Sequence, residues 1–223
     1  MRRRNLLIGT LATTLARRVD AEAVSVVLEL FTSQGCSSCP SADALLGKLA
    51  AGQGVIALAW HVDYWNSVFW RDPYASAFAT KRQRRYADQL GDELYTPAMV
   101  VNGSRMVVGS DSVAIRKAIS TVDALAVGLA LRDGVAEIGA ADEPVSALLV
   151  TYDPEETTQV GGGENSGRRL TEYHVVREAT VLGSWDGTPQ RLMLPAVAPG
   201  RGAVLLVQNA HLRMRGAATV STG

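Results

Sequence analysis

The chain has two cysteines, Cys36 and Cys39, three positions apart in Phe31-Thr-Ser-Gln-Gly-Cys-Ser-Ser-Cys-Pro40. An apolar run, Val24 to Phe31, precedes them and reads as a buried strand. After them Ala42, Leu45, Leu46, Leu49 and Ala50 recur at helical spacing. A C-x-x-C pair on a strand-to-helix turn sets its first sulfur at a helix N-terminus, where free N–H groups and the helix dipole favour a thiolate. The second sulfur falls one turn deeper, close enough for a disulfide. A thiolate so placed can attack a substrate disulfide, and the second thiol then releases the product at high effective molarity. With both cysteines in one motif none remains for a separate structural bridge, and solitary C-x-x-C pairs are more often catalytic or metal-binding than structural. The alternative for the pair is a buried, disulfide-stapled turn. Ser37 and Ser38 could donate to the Cys36 sulfur or cap the helix.

Three further groups stand out. Glu29 interrupts Val26-Val-Leu-Glu-Leu-Phe31, where an ionised group needs a partner. It is a desolvated buried acid or one half of an ion pair with an arginine. His61 and Asp63 end the next apolar run, Val55 to Val62, on the sheet edge that carries the cysteine turn, and functional groups collect at the carboxyl ends of such strands. His61 reads as a proton relay, a soft-metal ligand or a core histidine bonded to Asp63. Trp60, Tyr64, Trp65, Phe69 and Trp70 crowd the same loop, either as an apolar platform for an extended peptide beside Cys36 or as cover for the core. Lys81-Arg-Gln-Arg-Arg85 reads as the wet face of a helix, and His174 and His211 as structural.

These residues need a frame, and the patterning supplies one. Val55 to Val62 has the continuous apolarity of a parallel strand covered on both faces. Asp72-Pro73 predicts a helix start, with Tyr74, Phe78, Tyr86 and Leu90 inward and a stop at Gly91. Pro97 to Val101, Asn102-Gly103 and Ser104 to Val108 predict a hairpin with a type I′ turn. A helix from Ser110 or Asp111 follows, burying Ile115, Ala118, Ile119 and Val122. The order implies an α/β sandwich with helices on both sides of a mixed sheet over residues 24–123. From 124 to 220 the apolar runs become short: Leu125 to Leu131, Val145 to Tyr152, Tyr173 to Val181, Arg191 to Leu194 and Ala203 to Val207. Turn clusters divide them, which predicts an antiparallel β module arranged as a sandwich. Gly161-Gly-Gly163 lacks the lysine and hydroxyl of a phosphate loop and reads as a flexible hairpin loop.

The wording Glu-Leu-Phe-Thr-Ser-Gln-Gly-Cys-Ser-Ser-Cys-Pro, Trp-His-Val-Asp-Tyr-Trp and Tyr-Thr-Pro resembles an uncharacterised family of secreted bacterial thioredoxin-like proteins, defined as a domain of unknown function. The resemblance runs over nearly all of residues 24–220 and implies a thioredoxin-like fold for the first module. From thioredoxins generally it implies Cys36 as the attacking thiol and Cys39 as the resolving one. Pro97 would be a cis-proline against the disulfide, and Thr96 would offer backbone bonds to a substrate chain. Glu29 would exchange the proton of the resolving thiol, although its offset differs by one position. Gly35 replaces the tryptophan that often precedes the first cysteine, which leaves Cys36 less covered.

In 223 residues, 22 basic side chains balance 22 acidic ones. No basic field argues for nucleic acid and no acidic tail for disorder. Arg2-Arg3-Arg4, the apolar stretch Leu6 to Ala16 and Ala21-Glu22-Ala23 form the pattern of an export signal over residues 1–23, with Arg17 and Arg18 leaning toward the twin-arginine route. The stretch is too short for a permanent membrane anchor. These features predict a periplasmic or secreted thiol–disulfide oxidoreductase that needs no cofactor, with protein thiols or disulfides and a redox partner as its company. The main alternative is a Cu(I)-binding or copper-delivery protein using Cys36, Cys39 and His61.

Overall fold

In a computed structural model that describes residues 24–221, every residue of β1 (Val26–Thr32) is buried. The proposed export signal lies outside the described residues. β1 pairs in parallel with β2 (Val55–His61), in register from Val26 opposite Val55 to Thr32 opposite His61. The two strands end together, so whatever follows them is gathered at one edge. α1 (Cys39–Ala50) makes the crossover between them. β3 (Ala98–Val101) and β4 (Arg105–Val108) add antiparallel strands on the far side of β1. Asn102 and Gly103 turn between them with φ of 46° and 64°, the left-handed pair a type I′ turn requires.

Side chains alternate across this sheet with a period of two. Leu28 and Leu30 of β1, with Ala57, Ala59 and Met99, pack toward α1 and α3 (Ser112–Thr121). Val27 and Phe31, with Leu58, Trp60 and Val100, pack on the opposite face, against α2 (Ala77–Leu90). Asp111 caps α3 through the N–H groups of Val113 and Ala114.

The second helix differs from its sequence reading at its start. Ser76, not Asp72, is the N-cap, accepting from the Ala79 N–H, and helical structure begins at Ala77. The carboxylate of Asp72 is held elsewhere, as described below. Gly91 ends the helix in a left-handed conformation, φ 65°, as expected. Tyr86 is fully buried, but Phe78 is partly exposed and Tyr74 lies outside the helix. The basic run is not uniformly wet either: Arg82 and Gln83 point inward, because Glu29 on the facing strand supplies a buried counter-charge.

Beyond residue 124 the chain forms β5 (Leu129–Arg132), β6 (Val135–Ile138), β7 (Val145–Gln159), β8 (Arg169–Trp185), β9 (Gln190–Met193), β10 (Gly202–Asn209) and β11 (Met214–Val220). β5, β6 and β9 make a small antiparallel sheet. β7, β8, β10 and β11 continue the large sheet, because β8 joins β2 in parallel where Ala59 meets Val175. The full order is β11-β10-β7-β8-β2-β1-β3-β4. The small sheet covers one end of the large one through Val127, Ala136 and Ile138 against Val145, Ala147, Leu205 and Val207. The fold is a mixed α/β one, with a large mixed sheet and a small antiparallel sheet. No helix of the described residues is long and apolar enough to cross a membrane.

β7 and β8 are far longer than their apolar cores. They pair from Val145 opposite Trp185 to Gln159 opposite Arg169, with register shifts at Ala147/Leu148 and Thr151/Tyr152. This arm carries its tip, residues 160–168, back over the end of β1.

Candidate functional site at the Cys36–Cys39 disulfide

β1 gives way after Thr32 to a tight turn in which the Cys36 N–H donates to the Ser33 carbonyl and the Cys39 N–H to that of Cys36. Pro40 opens α1, where its missing N–H costs nothing. The turn brings the Cα atoms of Cys36 and Cys39 to 5.5 Å, and the two sulfurs are joined as a disulfide. Ser38 is the N-cap residue but makes no side-chain cap bond. Its hydroxyl lies 3.3 Å from the Cys36 sulfur instead.

Both cysteines are buried, Cys36 at 1 % and Cys39 at 0 % exposure. The expectation that Gly35 leaves Cys36 less covered is therefore corrected. A Cβ on Gly35 would stand 3.0 Å from the Trp65 Cβ, so the glycine lets the 64–70 loop close in. The hairpin tip completes the cover. A Cβ on Gly163 would lie 3.7 Å from the Gly35 Cα, and one on Gly162 would collide with the Phe69 carbonyl at 2.3 Å. Gly161 to Gly163 are thus a packed hairpin tip in which the missing side chains permit close approach.

Beside the turn lies a buried polar cluster. Thr32 and His61 sit opposite each other at the ends of β1 and β2, on the α1 face. His61 Nδ1 is 2.8 Å from Asp72 Oδ2, and its Nε2 is 4.0 Å from Glu172 Oε1 on β8. Asp72 also accepts from the Gln34 N–H at 2.9 Å, and Glu172 accepts from the Gln34 side chain at 2.8 Å. Asp43 of α1 is buried near the same group.

The electrostatics follow from dense burial of opposite charges. Burial alone would lower the His61 pKa. The charge and hydrogen bond of Asp72, reinforced by Glu172 and Asp43, prevail and raise it from 6.5 to about 9. Burial would raise the Asp72 pKa, but the His61 charge and bond, with the Gln34 and Tyr74 N–H groups, bring it below the usual range. Asp43 goes the other way, raised by burial from 3.8 to about 7 despite the nearby His61. Glu172 is likewise raised, by burial first. The arrangement holds one firm ion pair, His61 with Asp72, flanked by two carboxyls, Asp43 and Glu172, whose ionisation burial opposes.

The other sequence candidates disperse. Glu29 belongs to the α2 face, where Arg82 Nε donates to Oε1 at 2.6 Å and Arg82 Nη2 to Oε2 at 3.1 Å. Tyr86 donates to the same carboxylate. Trp60 lies on that face too, with the Arg82 guanidinium 5.2 Å from its ring centre. Asp63 bonds Thr80 through its N–H and its carboxylate, and the acid bonded to His61 is Asp72. The Tyr64 hydroxyl donates to Gln83. Trp65 Nε1 donates to the Thr96 hydroxyl at 2.8 Å, and the Thr96–Pro97 bond is cis. Pro97 borders α1: a Cβ on Gly109 would meet the Pro97 Cβ at 3.1 Å and the Ala42 Cβ at 3.3 Å. Thr96, Pro97 and Trp65 therefore gather at the cysteine turn, and Glu29 and Trp60 do not. Val68 and Phe69, at 94 % and 81 % exposure, protrude from the same loop as Trp65. Among the described residues no group of three or more His, Cys, Asp or Glu side chains is disposed to hold a metal ion.

Asp43, Asp72, Gln34, Glu172 and Asn165 escaped the sequence reading. Asp43 had a signal, a carboxyl amid the apolar stripe of Ala42 and Leu46 and four residues after Cys39. Asp72 was read as a helix cap. Glu172 and Asn165 carry no local mark, since only the long β7–β8 pairing delivers them.

The fold and this site define a mixed α/β protein with a covered C-x-x-C disulfide next to a buried cluster of titratable side chains. The chain belongs to the family described as "Protein of unknown function (DUF1223)", whose model matches residues 27–208. It is similar to the crystal structure of AGR_C_4864 from Agrobacterium tumefaciens, a structural-genomics target, with 33 % identity and a TM-score of 0.78 over 91 % of this chain and 96 % of that one. HBP35 of Porphyromonas gingivalis shares the fold at 14 % identity and a TM-score of 0.55, over 90 % of this chain and 76 % of that one. No curated protein matches the chain.

Proposed function

We propose that this protein is an exported thiol–disulfide oxidoreductase, built around a thioredoxin-like unit and acting on protein substrates in the periplasm or outside the cell. The observation that carries the reading is the Cys36–Cys39 disulfide between the end of β1 and the start of α1, with the buried Asp43 on the same helix. In the reducing direction the Cys36 thiolate attacks a substrate disulfide. A Cys36–substrate bond forms and one substrate thiolate leaves. Cys39, losing its proton, attacks the Cys36 sulfur, which closes the internal disulfide and releases the second substrate thiolate. Two electrons pass from the dithiol to the substrate, and the reverse sequence oxidises a substrate dithiol. Asp43, four residues after Cys39 and poised near neutrality, is suited to take the Cys39 proton.

Trapping tests the reading. Cys39→Ser should accumulate mixed disulfides with substrate proteins, because the internal release step is gone, and Cys36→Ser should accumulate few. Diagonal electrophoresis of both variants, with copper assayed on the same samples, measures this. No trapped species from Cys39→Ser, together with about one Cu(I) per wild-type chain that both variants lose, would replace the oxidoreductase by the copper alternative.

A further inference from the structure

The tip of the β7–β8 hairpin does more than cover the cysteine turn; it is bonded to the backbone on both sides of the Gly35–Cys36 peptide. The Asn165 amide is fully buried, and its Nδ2 donates to the Gln34 carbonyl at 3.0 Å and to the Cys36 carbonyl at 2.8 Å. Its direction is fixed from behind, since Arg168 Nη1 donates to Asn165 Oδ1 at 2.8 Å, which leaves only the NH2 side for the two carbonyls. The next residue back, Glu164, reaches into solvent yet places a carboxylate oxygen 2.9 Å from the Ser37 N–H. Ser37 directly follows Cys36, so this N–H is among the donors that would stabilise a Cys36 thiolate. Glu164 occupies that donor and sets a negative charge on the residue that follows Cys36.

We propose that Asn165 and Glu164 are positioning residues that restrain the reactivity of Cys36. Asn165 locks the Gln34–Gly35 and Cys36–Ser37 peptides under the hairpin tip, and Glu164 opposes ionisation of the Cys36 thiol. The inference rests on the redox reading for its purpose, and only on hydrogen bonds for its physics. The charged groups around the turn are Asp43 on α1, His61 on β2, Asp72 on the connecting loop, Glu172 on β8, and Glu164 and Arg168 on the tip. Of these, Glu164 alone bonds the peptide that follows Cys36. Its own carboxyl is held below the usual range by the Ser37 side chain and N–H, so it stays charged wherever the thiol titrates.

The test is the pH profile of Cys36 alkylation in fully reduced protein, with the site assigned by mass spectrometry, for wild type, Glu164→Gln and Asn165→Ala. Glu164→Gln removes the charge and keeps the shape at an exposed position, so folding is not at issue. Its profile should move to lower pH, with alkylation near neutrality about threefold faster, and the difference should vanish in about 1 M salt. Asn165→Ala should accelerate alkylation at every pH, by about tenfold, without moving the inflection, because it changes access and not charge. A Glu164→Gln profile that matches wild type, or an Asn165→Ala rate that does, overturns the proposal. Alkylation needs no substrate, so these outcomes are independent of whether the protein exchanges disulfides. Failure of the Cys39→Ser trap would remove the redox reading and leave this measurement intact.

Discussion

Asp43 stands four residues after Cys39 on α1, so a buried carboxyl and the buried second sulfur share one face of the helix. Burial raises the carboxyl from 3.8 to about 7. A folded-state pKa above the unfolded one means that native protein binds more protons in the interval between them. The stabilising contribution is then complete below about pH 3.8 and lost as pH rises through about 7. Asp43→Asn should flatten this dependence, becoming progressively more stable relative to wild type from about pH 4 to about pH 8. Urea unfolding across that range measures the effect. Equal slopes for the two proteins would mean that the carboxyl ionises freely.

The His61–Asp72 pair predicts a second pH limb. With His61 raised from 6.5 to about 9, its contribution is full below about pH 6.5 and lost as pH rises through about 9. Asp72→Asn deprives a buried imidazolium of its counter-charge and should cost about 3–5 kcal/mol near neutrality. It should also bring the imidazole titration, followed by NMR, to lower pH. An unmoved His61 titration in that variant would show that Glu172 and Asp43 carry the shift.

Much of this architecture was legible in the residues themselves. Val55 to Val62 was apolar enough to mark β2, and Asn102-Gly103 dictated its turn. Ile115 and Ala118 marked the buried face of α3. Other features turned on long-range partners. Asp72-Pro73 has the chemistry of a helix start, but His61 and the Gln34 N–H compete for the same carboxylate and win it, so Ser76 caps α2. Arg82 looks like surface in a basic run until Glu29 on another element claims it. β6 is too short to register, β11 is built of small residues with little apolar alternation, and the reach of β7 and β8 lay in polar stretches where backbone pairing, not hydrophobicity, keeps the strand extended. The cysteine turn was readable because its parts are consecutive. Its cover was not, because Asn165 comes from the far end of another hairpin.

Glu29 offers a clean separation of roles. Its carboxylate is bound by Arg82 and Tyr86 on the α2 face, remote in packing from the α1 face. Glu29→Gln should cost about 3–5 kcal/mol by stranding a buried guanidinium. It should leave the relative alkylation rates of reduced Cys36 and Cys39 unchanged under conditions where the variant is fully folded. A selective change at Cys39 would restore Glu29 as the acid that exchanges its proton.

Phe69 projects from the loop that packs on Gly35, with Val68 beside it. If protein substrates use this apolar edge, Phe69→Ser should lower kcat/KM for a protein disulfide by about tenfold, the scale of one lost aromatic burial. Exchange with a small disulfide such as oxidised glutathione should be unaffected, and the melting temperature should hold. Equal losses on large and small substrates would place the effect at the cysteines and not at a docking edge.

Asn165 and Cys36 are separated by 129 positions along the chain. Synthesis runs from the N-terminus, so the cysteines emerge long before the residues that will seal them. Until β8 is laid beside β2, the sulfurs have neither the amide clasp above nor Glu172 alongside. Each molecule therefore begins with an open thiol pair and acquires its cover last.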